Sequence, residues 1–283
     1  MAKIKKFYHD FMVRFQENNV TLLAASLAYY FLLAVFPLLI VAFAIIPYFN
    51  IRAEDAMSFI ASIVPGELAS IFEDNIVSLV ETPRGGLLTV GIIGALWSAS
   101  NGINAFIKAS NQAYDVEETR SFVVTRFIAF TLTISMILAV VIAILLPVFG
   151  DVILGFLVTL LGISSDMTVL LQILRYVISI LVITALLMAL YHVAPNKKIP
   201  FKHIIPGALT ASILWQVISF GFSIYISNFG NYSATYGSLG GIIVLMIWFF
   251  LTGVILLIGA IINVMYHKKE VRENAELHKA ANI

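Results

Sequence analysis

Apolar residues in this chain gather into long runs separated by short polar stretches. Six runs reach the roughly 20 helical residues needed to cross a hydrocarbon core about 30 Å thick. They are 22–48, 87–107, 127–149, 168–191, 204–226 and 240–265. A seventh run, Val152–Ile163, holds only 12 residues and follows Pro147, Gly150 and Asp151, so it is expected to lie in the interface or re-enter rather than span. Two stretches are amphipathic instead. Ile4, Phe7, Tyr8, Phe11, Met12 and Phe15 recur at helical spacing with Lys5, Lys6, His9 and Arg14 between them, the pattern of a helix lying on a leaflet with its basic face toward anionic headgroups. Leu68, Ile71, Phe72, Ile76, Leu79 and Val80 form a second stripe, with Glu67, Glu73, Asp74 and Glu81 as its acidic remainder.

The expected fold is therefore all-α: one polytopic membrane bundle of about six transmembrane helices with interfacial amphipathic helices. Residues 1–20 form the amphipathic N-terminal helix, 22–265 the bundle and 266–283 a C-terminal tail. The apolar stretch from Leu22 to Phe49 is longer than the ~7–15 residues of a secretory core, so it is read as an uncleaved first span.

Charge placement sets the orientation. With the N-terminus inside, 14 of the 17 basic residues fall on cytoplasmic segments, only Arg52 and Arg84 fall outside, and Arg175 falls within the fourth span. Counting Val152–Ile163 as a crossing would export the basic 197–202 loop, against the positive-inside rule. Both termini are expected in the cytoplasm. Hydrophobic residues make up 60% of the 283 positions and charged residues 12%, which excludes a water-soluble domain. Cysteine is absent, which removes disulfides and thiolate chemistry.

Polar groups inside the spans are the candidate site. In the second span Gly91, Ala95 and Ala99 form one ridge and Gly94, Ser98 and Gly102 the next, a surface for close helix packing. The same helix carries Asn101, Asn104, Lys108 and Asn111 on one face. The fifth span carries Ser212, Gln216, Ser219 and Ser223 on one face. In hydrocarbon such groups need a partner helix or a wet cavity. The candidate substrate path is Asn101, Asn104, Lys108, Arg175, Ser212 and Gln216, with interhelical hydrogen bonding as the structural alternative. Arg175 lies about two turns into its span, where it either snorkels outward or meets an anion. Pro37, mid-helix in the first span, removes a backbone donor and is expected to kink it.

Catalytic patterns are missing. All five histidines (His9, His192, His203, His267 and His278) fall at the edge or tail of the bundle. No metal-ligand spacing, nucleophile elbow or phosphate loop is present. The carboxylates Asp115, Glu117, Glu118, Glu270, Glu273 and Glu276 are interleaved with Lys or Arg, as on solvated faces or helix pairs. No catalytic residue, metal or cofactor is assigned, and no nucleic-acid partner is expected.

Several stretches together resemble the YihY/BrkB family of bacterial inner-membrane proteins. They are Ala25–Pro37 (ASLAYYFLLAVFP), Trp97–Gly102 (WSASNG), Asn111–Tyr114 (NQAY), Tyr191–Asn196 (YHVAPN), Pro206–Gly207, Trp215, Phe222, Tyr236–Gly240 (YGSLG), Trp248 and Gly259–Asn263 (GAIIN). They occur in order along nearly the whole chain. One departure is Ile261, where many relatives carry an acidic residue. The resemblance implies a multi-pass plasma-membrane protein. Its relatives have carried ribonuclease and virulence-factor labels that name no mechanism. Transport or lipid translocation of an anionic solute or headgroup is the expected function, with membrane lipids as partners. A non-transporting envelope scaffold is the alternative, and a membrane-tethered ribonuclease is disfavoured by the missing metal ligands.

Overall fold

The computed structural model describes residues 2–45, 85–137, 168–229 and 239–281, and every regular element among them is a helix. In chain order these are α1 (Ala2–Glu17), α2 (Val20–Ile45), α3 (Gly85–Ala113), α4 (Phe122–Ile137), α5 (Thr168–Val193), α6 (Phe201–Phe229) and α7 (Leu239–Ala281). The protein is an all-α polytopic membrane bundle. Three stretches are long and apolar enough to cross a bilayer by themselves, Leu88–Ala113, Phe201–Ile226 and Leu239–Glu273. α1 and α2, joined at a sharp bend, pass the same test as a pair, and α4 and the Ile180–Val193 part of α5 are shorter apolar helices. The six expected spans thus begin within α2 to α7. Residues 138–149 of the 127–149 run, the Val152–Ile163 run and the acidic 67–81 stripe lie outside the described residues.

Two features at the ends of the chain have local causes. The break between α1 and α2 is built by asparagines: Asn19 takes a left-handed backbone (φ 49°), and the Asn18 side chain donates to the Arg14 carbonyl at 2.8 Å. The same carbonyl also accepts the Asn18 backbone N–H at 3.0 Å, so both lone pairs are used at the helix end. At the other end of the chain, the expected tail is helical to Ala281 and continues α7 directly. Its exposed turns are suited to helix, with Lys269 and Glu273 paired at i,i+4.

The chain packs as two compact units, one formed by 1–20, 106–216 and 255–283, the other by 21–105 and 217–254. In the second, small residues let helices approach closely. A side-chain carbon on Gly102 would stand 2.9 Å from the Phe31 ring, and one on Gly253 would stand 3.0 Å from the Ala24 carbonyl oxygen. Gly94 faces Pro37, so the Gly94–Gly102 ridge read from the sequence is the one that meets α2. Trp248 donates its indole N–H to Ser219 at 3.4 Å.

The first unit is centred on α5, α6 and α7. Tyr191, fully buried, donates to the Leu256 carbonyl at 2.8 Å and packs on Phe106 with ring centres 5.9 Å apart. α6 and α7 cross at Gly207 and Gly259 with no room for a side chain at either position. A carbon on Gly207 would run into the Gly259 carbonyl and the Asn263 side chain, and one on Gly259 into the Tyr191 hydroxyl. Gly207 with Ala211, and Gly259 with Asn263, are small or short residues four apart, the packing signature of lipid-embedded helices.

Candidate functional site

The residues singled out in the spans are distributed over both units. Asn101 and Asn104, half-buried on α3, belong to the second unit; Lys108, Ser212 and Gln216 belong to the first. Lys108 is exposed. Ser212 is fully buried, but its hydroxyl lies 2.7 Å from that of Thr184 on α5 and donates to the Leu209 carbonyl at 3.0 Å. It therefore closes a helix–helix seam. Gln216 is half-buried, and its Nε2 is buried without a hydrogen-bond partner. The side chain of Arg175 lies outside the described residues.

Polar chemistry concentrates instead at one end of the first unit, where α3 stops, the 194–200 loop turns and α6 begins. α3 ends in a Schellman turn. Asp115 has φ 53°, its N–H bonds the Gln112 carbonyl at 3.1 Å, and the Val116 N–H reaches the Asn111 carbonyl at 3.0 Å. Asn111, in the last turn, joins two loops. Its Nδ2 donates to Glu118 at 2.8 Å, and its Oδ1 accepts from the Asn196 N–H at 2.6 Å. Asn196 in turn donates to the Glu117 carbonyl and to Thr119. Arg120 grips Glu118 through two nitrogens, at 2.7 and 2.6 Å, and donates to the carbonyls of Val193 and Ala194 at the end of α5. A cation against terminal carbonyls is favourable for both. The Arg120 bonds hold the Glu118 carboxyl below its usual pKa. Beside this lattice a cavity of about 230 Å³ is lined by His192, Pro195, Asn196, Lys197 and Lys198.

The second cluster joins the starts of the polar ends of α6 and α7. His203 and His267, both buried, face one another with Nδ1 to Nδ1 at 2.8 Å. The other ring nitrogen of His203 meets Glu270 Oε2 at 2.8 Å. Lys202 donates to the same oxygen at 2.9 Å, and the Tyr266 hydroxyl donates to Oε1 at 3.2 Å. The Lys202 bond first, then that from His203, pulls the Glu270 carboxyl down to about 2. Burial lowers His267, with Lys197 and His203 adding to it. The Tyr114 ring stands edge-on to His267 with ring centres 6.4 Å apart, and burial raises its phenol. Lys268 pairs with Asp115, whose carboxyl is lowered mainly by that bond. Sequence reasoning placed these carboxylates in ion-paired faces but missed the histidine pair. The spacing of 64 residues carries no short-range signal.

Several buried donors have no hydrogen-bond partner: the hydroxyls of Ser110, Tyr114 and Thr125, Gln216 Nε2 and Asn263 Nδ2. The Asn263 amide orientation is fixed by its other end, where Oδ1 accepts from the Gly207 N–H at 2.8 Å. The arrangement can pass or share a proton along its histidines and can present donors to an oxygen-rich group. Among the described residues no three His, Asp or Glu side chains converge on a point that would hold a metal ion.

An all-helical, multi-pass membrane protein with this interior belongs to a recognisable class. The match to the family described as Virulence factor BrkB runs over residues 11–283, and the chain belongs to that family. A Bacillus subtilis (strain 168) protein, YfkH, described as ribonuclease-like, is 42% identical over 93% of this chain and 96% of its own length. A UPF0761 membrane protein of Alteromonas mediterranea is 26% identical over 92% of this chain and 91% of its own. One from Xanthomonas oryzae pv. oryzae is 29% identical over 87% of this chain, which spans 57% of that longer protein. No solved structure matches.

Proposed function

We propose that the chain moves an anionic solute or lipid headgroup across the plasma membrane, with both termini in the cytoplasm. The observation that carries this reading is the set of buried, acceptor-less donors on α3, α6 and α7, above all Gln216 Nε2 and Asn263 Nδ2. Leaving such a group unpaired in an apolar interior costs about 1–3 kcal/mol, and phosphate or carboxylate oxygens are the complementary partners. Lys108 and Arg175 are the cations this reading assigns to the anion. The test is flux in liposomes, with labelled phosphatidylglycerol flip-flop and inorganic phosphate uptake as separate arms. Wild type should accelerate one of them, and Gln216→Leu or Arg175→Ala should slow it on the order of tenfold, equivalent to about 1.4 kcal/mol. Flux unchanged in both variants removes these residues from the path.

A scaffold for envelope assembly is the second reading. It is supported by the closed seams at Gly207–Gly259 and Thr184–Ser212, which need only packed helices. Wild-type protein that moves neither probe would make it the leading one. The ribonuclease-like description belongs to the Bacillus relative, and the histidines and carboxylates described above are committed to each other.

A further inference from the structure

Two imidazole nitrogens 2.8 Å apart admit one hydrogen between them. A ring nitrogen either carries N–H and donates or carries a lone pair and accepts, so of His203 Nδ1 and His267 Nδ1 one must do each. His203 Nε2 faces an ionised carboxylate, which only accepts, so that nitrogen carries its hydrogen. Two states fit both the geometry and the charges around it, since Glu270 lies against His203 while Lys197 and Lys268 oppose a charge on His267. In one both rings are neutral, and His267 donates to His203. In the other His203 has gained a proton, donates from both nitrogens and is neutralised by Glu270, while His267 has shifted to its Nε2–H tautomer and accepts. A further proton would set two N–H groups against each other.

We infer that His203 and His267 form a binding site for a single proton, with Glu270 as its counter-ion, at the junction of α6 and α7. The surroundings favour one charge and oppose two. Glu270 on α7 meets His203 directly, and Tyr266 and Lys202 bond to that same carboxylate. Lys268 on α7 and Lys197 in the loop both act on His267 as positive charges, and Asp115 offsets Lys268 from the end of α3. Tyr114, also from α3, offers His267 a ring edge and brings no charge. The site exceeds either functional reading, since it depends on neither transport nor scaffolding.

Ring-nitrogen NMR of the full chain in nanodiscs, with ¹⁵N-labelled histidine, tests it. Between about pH 8 and about pH 5 a free histidine takes up one proton. His203 and His267 are expected to take up one between them, with His267 neutral throughout, and this count needs no substitution in the pair. Glu270→Gln should shift the midpoint of that single proton down by about one pH unit, a tenfold weakening. In His267→Gln, whose amide can still accept from Nδ1, His203 should keep its one-proton step. Uptake of two protons over the range, or two independent ring titrations indifferent to Glu270→Gln, would overturn the inference.

Discussion

The Tyr191 hydroxyl donates to the Leu256 carbonyl at 2.8 Å and stands where a side chain on Gly259 would have to begin. A residue on α5 thereby fixes what α7 can carry three positions past its own bonding partner. Gly259→Ala should destabilise the protein by about 1–3 kcal/mol or more, because the added carbon also meets Ala211 and the Gly207 carbonyl at 2.9 Å. Tyr191→Phe should lose about 1 kcal/mol with its hydrogen bond. The double variant is expected to lose less than the sum, since removing the hydroxyl vacates part of the contested space. Thermal unfolding in detergent measures all three, and strict additivity would contradict the shared-space account.

Arg120→Ala should cost about 1–3 kcal/mol, because the guanidinium serves Glu118 and two carbonyls at once. Arg120→Lys should recover little, a single ammonium being unable to reproduce that fork. Hydrogen exchange across 190–198 is the sharper readout, and both variants should raise it there before elsewhere.

Acid should weaken the unit that holds α6 and α7 in two stages with the same sign. His267 is depressed by burial, so the unfolded chain binds its proton more readily. The stability it contributes is complete above the ordinary histidine value and fades as pH falls below about 6.5. Glu270, drawn from 4.5 to about 2, contributes stability above 4.5 that is lost as pH falls toward about 2. In a stability–pH profile, His267→Gln should flatten the upper stage and leave the lower one. A profile that rises on acidification through this range would refute both assignments.

Reporter fusions at the N- and C-termini should both signal cytoplasm, and an insertion at Glu81 should signal the outside. Opposite signals from the two ends would require an odd number of crossings.

The apolar runs made the helices legible because a bilayer demands length and hydrophobicity, which are local properties of the chain. The Gly94–Gly102 ridge was legible for the same reason, one face of one helix being enough to see it. The Gly207–Gly259 crossing was not read as a contact, although both glycines begin a small-xxx-short pattern, because packing joins two helices whose pairing no single window contains. His203 and Glu270 were hidden more thoroughly. Each sits in an ordinary basic or mixed-charge stretch, and only the approach of α6 to α7 turns them into one chain of hydrogen bonds, from the buried histidines to the half-buried Glu270. Arg120 looked like one of many inner-leaflet cations, yet its position after a left-handed turn at Asp115 aims it at the end of α5.

α7 runs unbroken from Leu239 to Ala281, 43 residues without a proline. At 1.5 Å per residue that is about 65 Å of rod, roughly twice the hydrocarbon thickness. An unhinged rod transmits torsion along its whole length. A turn applied to its polar outer end, by a neighbouring protein or by the charge of the lipid surface, would be delivered to Gly259, where the crossing with α6 leaves no slack to absorb it.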